Sequence, residues 1–515
     1  MQIPLFKPQT EWVKPEEFPD LTNRQEIAID LETSDPDLKS RGSGSIIGNG
    51  KVVGIAVATE DYQGYFPFDH EGGGNLEKTK VIQWFRDVCN SSSLKIFHNA
   101  MYDVCWIRSM GIEIKGDIVD TMIAASLINE NRMRYDLNSL GREYVGYGKD
   151  ESALIAGAKE WGIDPKAEMW KLPAMYVGNY AERDAEVTYQ LWKKLKQELS
   201  NQDLESIFKL ESDLFPCLVD MKFKGVRVDV EKAHQLKEKL LKQEKQFLTE
   251  IKKETSQHKG RIHADINQIR SDQGGTVTGR FSYSNPNLQQ IPARNKDLGP
   301  MIRSLFIPED NCVWGCFDYN QQEPRLVVHY ASLQQLPSAF TVVDAYREGN
   351  ADFHKIVANM AQIPRSQAKT INLGLFYGMG KAKLQAELGV SKEKADDLFI
   401  TYHSKVPFVK QLMNSVSQRA QQRGQIRTLL GRLCRFHLWE PNYFGIHKAL
   451  PHEQAILEHG PGIKRAFTYK SLNKLIQGSA ADMTKKCMLE LYKEGIIPHI
   501  QVHDELDISV KDDKE

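Results

Sequence analysis

The sequence predicts an α/β domain followed by a larger α+β region. Three observations carry this. Residues 25 to about 195 alternate short apolar segments ("EIAIDLE", "KVVGIAVAT", "LKIFHN") with helical ones. Beyond residue 200 longer helical stripes take over, broken by isolated strand signals such as "CVWGCFD" and "IPHIQVHDELDISV". A length of 515 residues, 41% of them apolar and 26% charged, leaves room for about three globular domains.

Composition excludes several classes. No apolar run is long enough to span a membrane, and the opening "MQIPLFKPQTEWVKPEEFPD" lacks a signal-peptide core, so a cytoplasmic location is expected. The seven cysteines contain no CxxC pair and read as free thiols in a reducing compartment, with Cys312 and Cys316 expected in a buried strand. A net charge of −1 neither points to nucleic acid nor excludes it.

In "QEIAIDLETSDPD", residues 25–37, Ile27 and Ile29 read as one apolar face of a strand that Asp30 and Glu32 close. Residues two apart in an extended chain point the same way, so these acids stand side by side. "KIFHNAMYDVCWI" places Asp103 after a strand end, near the start of a helix. "YAERD" places Tyr180 and Asp184 four apart on one helical face. Taken singly these are ordinary, since a D-x-E at a strand end is most often a turn signal. Together, three elements deliver four carboxylates and a phenol to one point, where like charges repel unless cations neutralise them. Oxygen ligands of this kind suit Mg²⁺, with Mn²⁺ as a substitute. Two such ions about 3.5–4 Å apart activate water and stabilise a leaving oxygen in phosphodiester cleavage.

The helix "YAERDAEVTYQLWKKLKQEL" runs into the polar "SNQD" near residue 200, a domain boundary. The next helix carries Leu204, Ile207, Phe208, Glu211, Leu214, Phe215 and Leu218 at helical spacing, and Pro216 is expected to kink it. A lysine-rich helix follows, with a narrow apolar stripe through Leu236, Leu240, Phe247 and Ile251. By itself it is a solvated helix; against nucleic acid it is a face for phosphates.

"IPRSQAKTINLGLFYGMG" holds Arg365, Lys369, Leu373 and Tyr377 four apart, one drifting stripe of two cations, an apolar residue and an aromatic. The two cations suit a triphosphate, and a snorkelling basic edge is the plainer alternative. Gly374 and Gly378 speak against a purely structural helix. Asp318 ends an apolar strand, and His503, Asp504 and Glu505 lie at the turn of a hairpin-like strand pair.

The ordered set "DLET", "HNAMYD" and "YAERD" resembles the DEDDy family of 3′–5′ exonucleases. The second half resembles a family A DNA polymerase, similar to the large fragment of bacterial DNA polymerase I, through "TGRFSYSNPNLQQIP", "FDYNQQEPR", "RSQAKTINLGLFYG" and "QVHDE". The resemblance implies an N-terminal extension over 1–24, an RNase H-like exonuclease domain over 25–200 and a right-hand polymerase over 201–515. Within the hand it implies a thumb over about 201–275, a palm over about 276–335 and 485–515, and fingers over about 340–480.

It further implies two Mg²⁺ ions in each site, held by Asp30, Glu32, Asp103 and Asp184 in one and by Asp318 and Asp504 in the other. Tyr180 would orient the attacking water. Arg365, Lys369 and His354 would bind the incoming triphosphate, Lys369 also protonating pyrophosphate, with Leu373 and Tyr377 near the sugar and base. Glu323 would exclude a ribose 2′-hydroxyl. Arg280, Arg294, Asn473, Gln477 and His503 would contact the primer–template or nascent pair. The partners implied are primer–template DNA, dNTPs and a processivity or other replisome factor, with no membrane.

Four departures from the family pattern carry expectations. Leu373 replaces the usual Phe or Tyr, which predicts altered nucleotide discrimination. Tyr469 replaces an Arg found in many relatives, removing one DNA contact. The segment between "KGVRVD" and "TGRFS" is short, which predicts a small thumb and low processivity without a partner. The chain stops eleven residues after Asp504, which suggests a fragment, and about two dozen residues before the first motif leave no 5′-nuclease domain. The compact layout suggests a phage or prophage replicative enzyme. The alternative reading is a 3′–5′ exonuclease whose polymerase half is incomplete.

Overall fold

The computed structural model describes residues 9–512 except 242–256, 271–274, 293–297, 350–351, 362, 377–378, 444 and 446. Two compact units emerge: Met1–Val277 with Phe281–Phe317 and Lys485–Glu515, and Thr278–Arg280 with Asp318–Thr484.

The first unit is built around a five-stranded sheet. Its middle strand is β1 (Glu26–Ser34); on one side β2 (Lys51–Ala58) runs antiparallel to it and β3 (Gln63–Pro67) antiparallel to β2. On the other side β4 (Leu94–Phe97) and β5 (Ile118–Asp120) run parallel to it. Such a strand needs cover on both faces, and Ile27, Ala28 and Ile29 are all buried. A parallel neighbour requires a crossover, supplied by the helix Lys78–Asn90, which buries Val81, Phe85 and Val88. Three further helices follow: α1 (Ala100–Ser109) against the sheet, α2 (Leu137–Tyr144), and α3 (Gly178–Asn201), which packs on β1, β2 and β3 and also against α2.

The same unit continues through α4 (Glu205–Lys224), which stays one helix across Pro216. The lysine-rich helix is described over Val230–Leu241; Phe247 and Ile251 lie outside the described residues. A three-stranded sheet holds β6 (Cys312–Asp318) at one edge, β7 (Ile500–Val502) at the other and β8 (Glu505–Lys511) between them. The expectation that Cys312 and Cys316 are buried fails: Cys312 is half-buried and Cys316 exposed, beside an exposed Phe317. An edge strand in so small a sheet has one paired side and little cover. All seven cysteines are free thiols.

One ion pair lies inside this unit. Lys485 Nζ donates to both carboxylate oxygens of Glu211 at 2.7 and 2.9 Å, and each residue is at most 2% exposed. Gln268 donates to Glu211 Oε2 at 3.0 Å, and the Phe281 ring lies 4.5 Å from the ammonium.

The second unit is mainly helical. It contains α5 (Gln322–Leu333), α6 (Phe353–Ala361), α7 (Arg365–Phe376) and the first part of α8 (Ser471–Lys493). Val327, Phe353, Phe376, Phe408, Leu412 and Ile476 share its core. Asp482, fully buried, accepts from Arg432 Nε at 2.8 Å and Thr428 Oγ1 at 2.6 Å, satisfying a charge that would otherwise be costly there.

Candidate active sites

The four acids of the first set converge, and secondary structure explains how. Along β1, Asp30 and Glu32 alternate with buried Ile29 and Leu31, and the register with β2 shifts by one residue just after Glu32 before pairing resumes at Thr33. The Leu31 N–H, between the two acids, donates to Asp103 Oδ1 at 3.1 Å, which locks α1 to the strand. Asp120 fixes where α1 begins: its carboxylate accepts from Asn99 N and Ala100 N at 3.0 and 2.8 Å, and from Met122 N at 2.8 Å. One acid thus holds two helix starts, a demanding role since Asn99 sits in the left-handed region with φ 68°. From α3, one turn apart, come Tyr180 and Asp184.

Burial and mutual repulsion shape this site. Glu32, Asp103 and Asp184 are 5%, 4% and 2% exposed. Burial, then Asp184, pushes Asp30 up to about 7. Burial followed by Asp30 drives Glu32 and Asp103 well above the carboxylate range. Asp184 is raised by burial as well, although Lys149 opposes the rise. Glu32 Oε1 and Asp184 Oδ1 are buried without a hydrogen-bond partner. Buried carboxylate oxygens in a crowd of like charge suit hard divalent cations in kind, and no three of these four acids bring ligand oxygens within 4.8 Å of one another before an ion draws them in.

Sequence reasoning missed Lys149. Its ammonium forms an ion pair with Asp184 Oδ2 and donates to the Tyr180 hydroxyl at 3.1 Å. Burial works against its charge, but Asp184, Asp30 and Glu32 hold it above the ordinary lysine value. The available signal was the "GYGK" turn lying between the second and third acidic motifs.

The remaining predicted residues lie on other elements. In the second unit, Arg365 and Lys369 are exposed on α7, and Arg365 Nε pairs with Asp352 Oδ2 at 2.6 Å. His354 does not stand in the open beside them. It is 4% exposed, its Nδ1 lies 3.0 Å from Asn372 Nδ2, and burial lowers its pKa. Asn372 therefore places His354 beneath α7, a relation that sequence spacing did not reveal.

Arg280 and Glu323 form an ion pair of 2.5 Å, joining two residues predicted for different contacts. Asn473 and Gln477 are half-buried, one turn apart on α8. Asp318 ends β6, exposed, and His503 and Asp504 form the turn between β7 and β8, whereas Glu505, also expected at the turn, already opens β8 paired with Val502. Arg294 and Tyr377 lie outside the described residues, as does the side chain of Leu373.

The first unit thus carries a cluster of buried carboxylates on a mixed α/β sheet, and the second unit is mainly helical. The chain belongs to DNA polymerase family A, whose pattern matches residues 225–515, and a 3′–5′ exonuclease pattern matches residues 15–200. It is 32% identical to the DNA-directed DNA polymerase of Pseudomonas phage M6, over 100% of this chain and 94% of that one. DNA polymerase DpoZ of Salmonella phage PMBT28 is 26% identical, with 96% and 92% covered. DNA polymerase I of Pseudomonas aeruginosa is 25% identical, over 95% of this chain and 60% of that one.

Among solved structures, the POL domain of Pol1 from M. smegmatis, in complex with DNA primer-template and dNTP, shares the fold at a TM-score of 0.70 and 19% identity. That match covers 96% of this chain and 90% of the other. Enzymes with these two domains are generally metal-dependent. Among the described residues, no helix is long and apolar enough to cross a membrane.

Proposed function

We propose that the chain extends primers with dNTPs on template DNA and proofreads them, using Mg²⁺ at both sites, with Asp30, Glu32, Asp103 and Asp184 holding the ions for cleavage. The observation that carries this reading is the buried cage, with the unpartnered oxygens of Glu32 and Asp184 within it. When bound, the divalent ions would lower the pKa of water and offset charge on the leaving oxygen. The protein's own residues do the rest. Asp120 and the Leu31 N–H fix Asp103 in place. Tyr180, one turn before Asp184, directs its hydroxyl to the attacking water, and the apolar sheet beneath keeps bulk water from the acids.

For synthesis, Asp318 and Asp504 serve as carboxylate ligands of the catalytic ions. Arg365 and Lys369 neutralise the triphosphate, and Lys369 protonates the pyrophosphate leaving group. Asp352 holds the Arg365 fork until the nucleotide arrives. Glu323, kept in place by Arg280, stands against a 2′-hydroxyl, and His354 acts through α7 rather than by direct contact. Arg280, Arg294, Asn473, Gln477 and His503 contact DNA, and Leu373 with Tyr377 meets the sugar and base.

The reading includes a hand with a thumb over about 201–275, a palm over about 276–335 and 485–515 and fingers over about 340–480, served by a replisome factor for processivity. A bacterial cytoplasm is the setting of this reading, supported by the phage and bacterial origin of the relatives.

The test is one labelled primer–template with Mg²⁺, with and without dNTPs. Extension lost only in Asp504→Ala and shortening lost only in Asp30→Ala/Glu32→Ala is the expected result. Shortening without any extension in the wild type would favour the exonuclease-only alternative.

A further inference from the structure

We propose that Lys149 is a resident cation of the exonuclease site, positioning the Tyr180 hydroxyl and competing with divalent metal for Asp184. The inference rests on the proposed role of the four acids.

The loop between α2 and the helix Ser152–Trp161 is built to deliver this lysine. Lys149 N donates to Asn138 Oδ1 at 3.2 Å, and Tyr147 OH donates to Glu186 Oε1 at 2.9 Å, anchoring the loop to α2 and α3. Arg183, paired with Glu186 at 2.8 Å, covers the Tyr147 ring at 4.8 Å. Between the two anchors Gly148 is required by close approach: a Cβ there would lie 2.0 Å from Asn138 Oδ1. A loop tied on both sides and narrowed to a glycine next to the lysine restricts where the ammonium can go.

The ammonium has two tasks there. Its proton goes to the Tyr180 oxygen at 3.1 Å, so the phenol's own hydrogen is left to face an acceptor, and the neighbouring Asp184 carboxylate is one such acceptor. It also pairs with Asp184 Oδ2, one of the two oxygens that this carboxylate has to offer. A divalent ion that needs Asp184 must share that carboxylate with Lys149 or displace it. Competition of this kind lowers metal affinity while the lysine keeps the phenol aligned.

The experiment measures Mn²⁺ binding by calorimetry on full-length DNA-free protein in an Asp504→Ala background, which removes a ligand of the second site. Primer shortening is followed in parallel with Asp504 restored. Lys149→Met should bind Mn²⁺ about tenfold tighter, as expected when a charge-assisted contact to a ligand oxygen is lost, yet shorten primers more slowly at saturating metal. Lys149→Arg should keep the weaker metal affinity. Unchanged or weaker Mn²⁺ binding by Lys149→Met overturns the proposal. If that variant fails to fold, Lys149→Gln carries the same comparison, and thermal unfolding identifies the case. The Asp30→Ala/Glu32→Ala control separates the two layers: shortening that survives it refutes the cage itself, not the role of Lys149.

Discussion

Lys485→Met tests the ion pair inside the first unit. Lys485 and Glu211 lie at 2.7 and 2.9 Å with essentially no solvent contact. With an effective dielectric near 20, two charges at that separation attract by roughly 6 kcal/mol, against several kcal/mol of desolvation for each ion. The intact pair is therefore close to neutral for stability, whereas breaking it is not. Methionine fills much of the lysine stem but removes the Lys485 ammonium from buried Glu211, which is expected to cost about 3–5 kcal/mol.

At about 1–2 °C per kcal/mol for a unit of this size, the loss is roughly five degrees in thermal unfolding. The double change Glu211→Leu/Lys485→Met removes both charges and should recover most of that loss. Urea denaturation followed by circular dichroism measures the full cycle. A single mutant within about 1 kcal/mol of wild type would refute the reasoning. A double mutant no more stable than the single would do the same.

Three further outcomes are expected. Burial holds His70 and His499 down to about 4, below the unfolded value of about 6.5. Their contribution is therefore complete above about pH 6.5 and is lost as pH falls towards about 4, the unfolded chain taking up protons first. Urea midpoints at pH 7.5 and 5 should differ, and His499→Gln should shrink the difference; an unchanged pH dependence in that variant would contradict it. Asp120→Ala removes the acceptor for three backbone N–H groups, at about 1–2 kcal/mol, and should slow primer shortening by loosening Asp103 while leaving extension intact. Leu373→Phe should change the selection between dNTPs and dideoxynucleotides in single-nucleotide insertion; equal selectivity would remove Leu373 from the nucleotide contacts.

Much of this protein could be read from local pattern. The alternation of strands and helices over the first two hundred residues, the pairing of Asp30 with Glu32, and Tyr180 one turn before Asp184 follow from strand and helix periods alone. The turn at His503 and Asp504 was legible for the same reason. What spacing could not supply was contact between segments distant in sequence. Lys149 is an ordinary loop lysine until Asn138, Glu186 and Gly148 set its loop against α3. His354 reads as a surface partner of Arg365 until Asn372 places it beneath α7. Cys316 reads as a core residue until sheet order makes its strand an edge. Periodicity is a property of a few consecutive residues, and the sequence therefore determined the elements and most of the acids; burial, pairing and charge balance depend on which remote groups meet, so only the tertiary structure decided them.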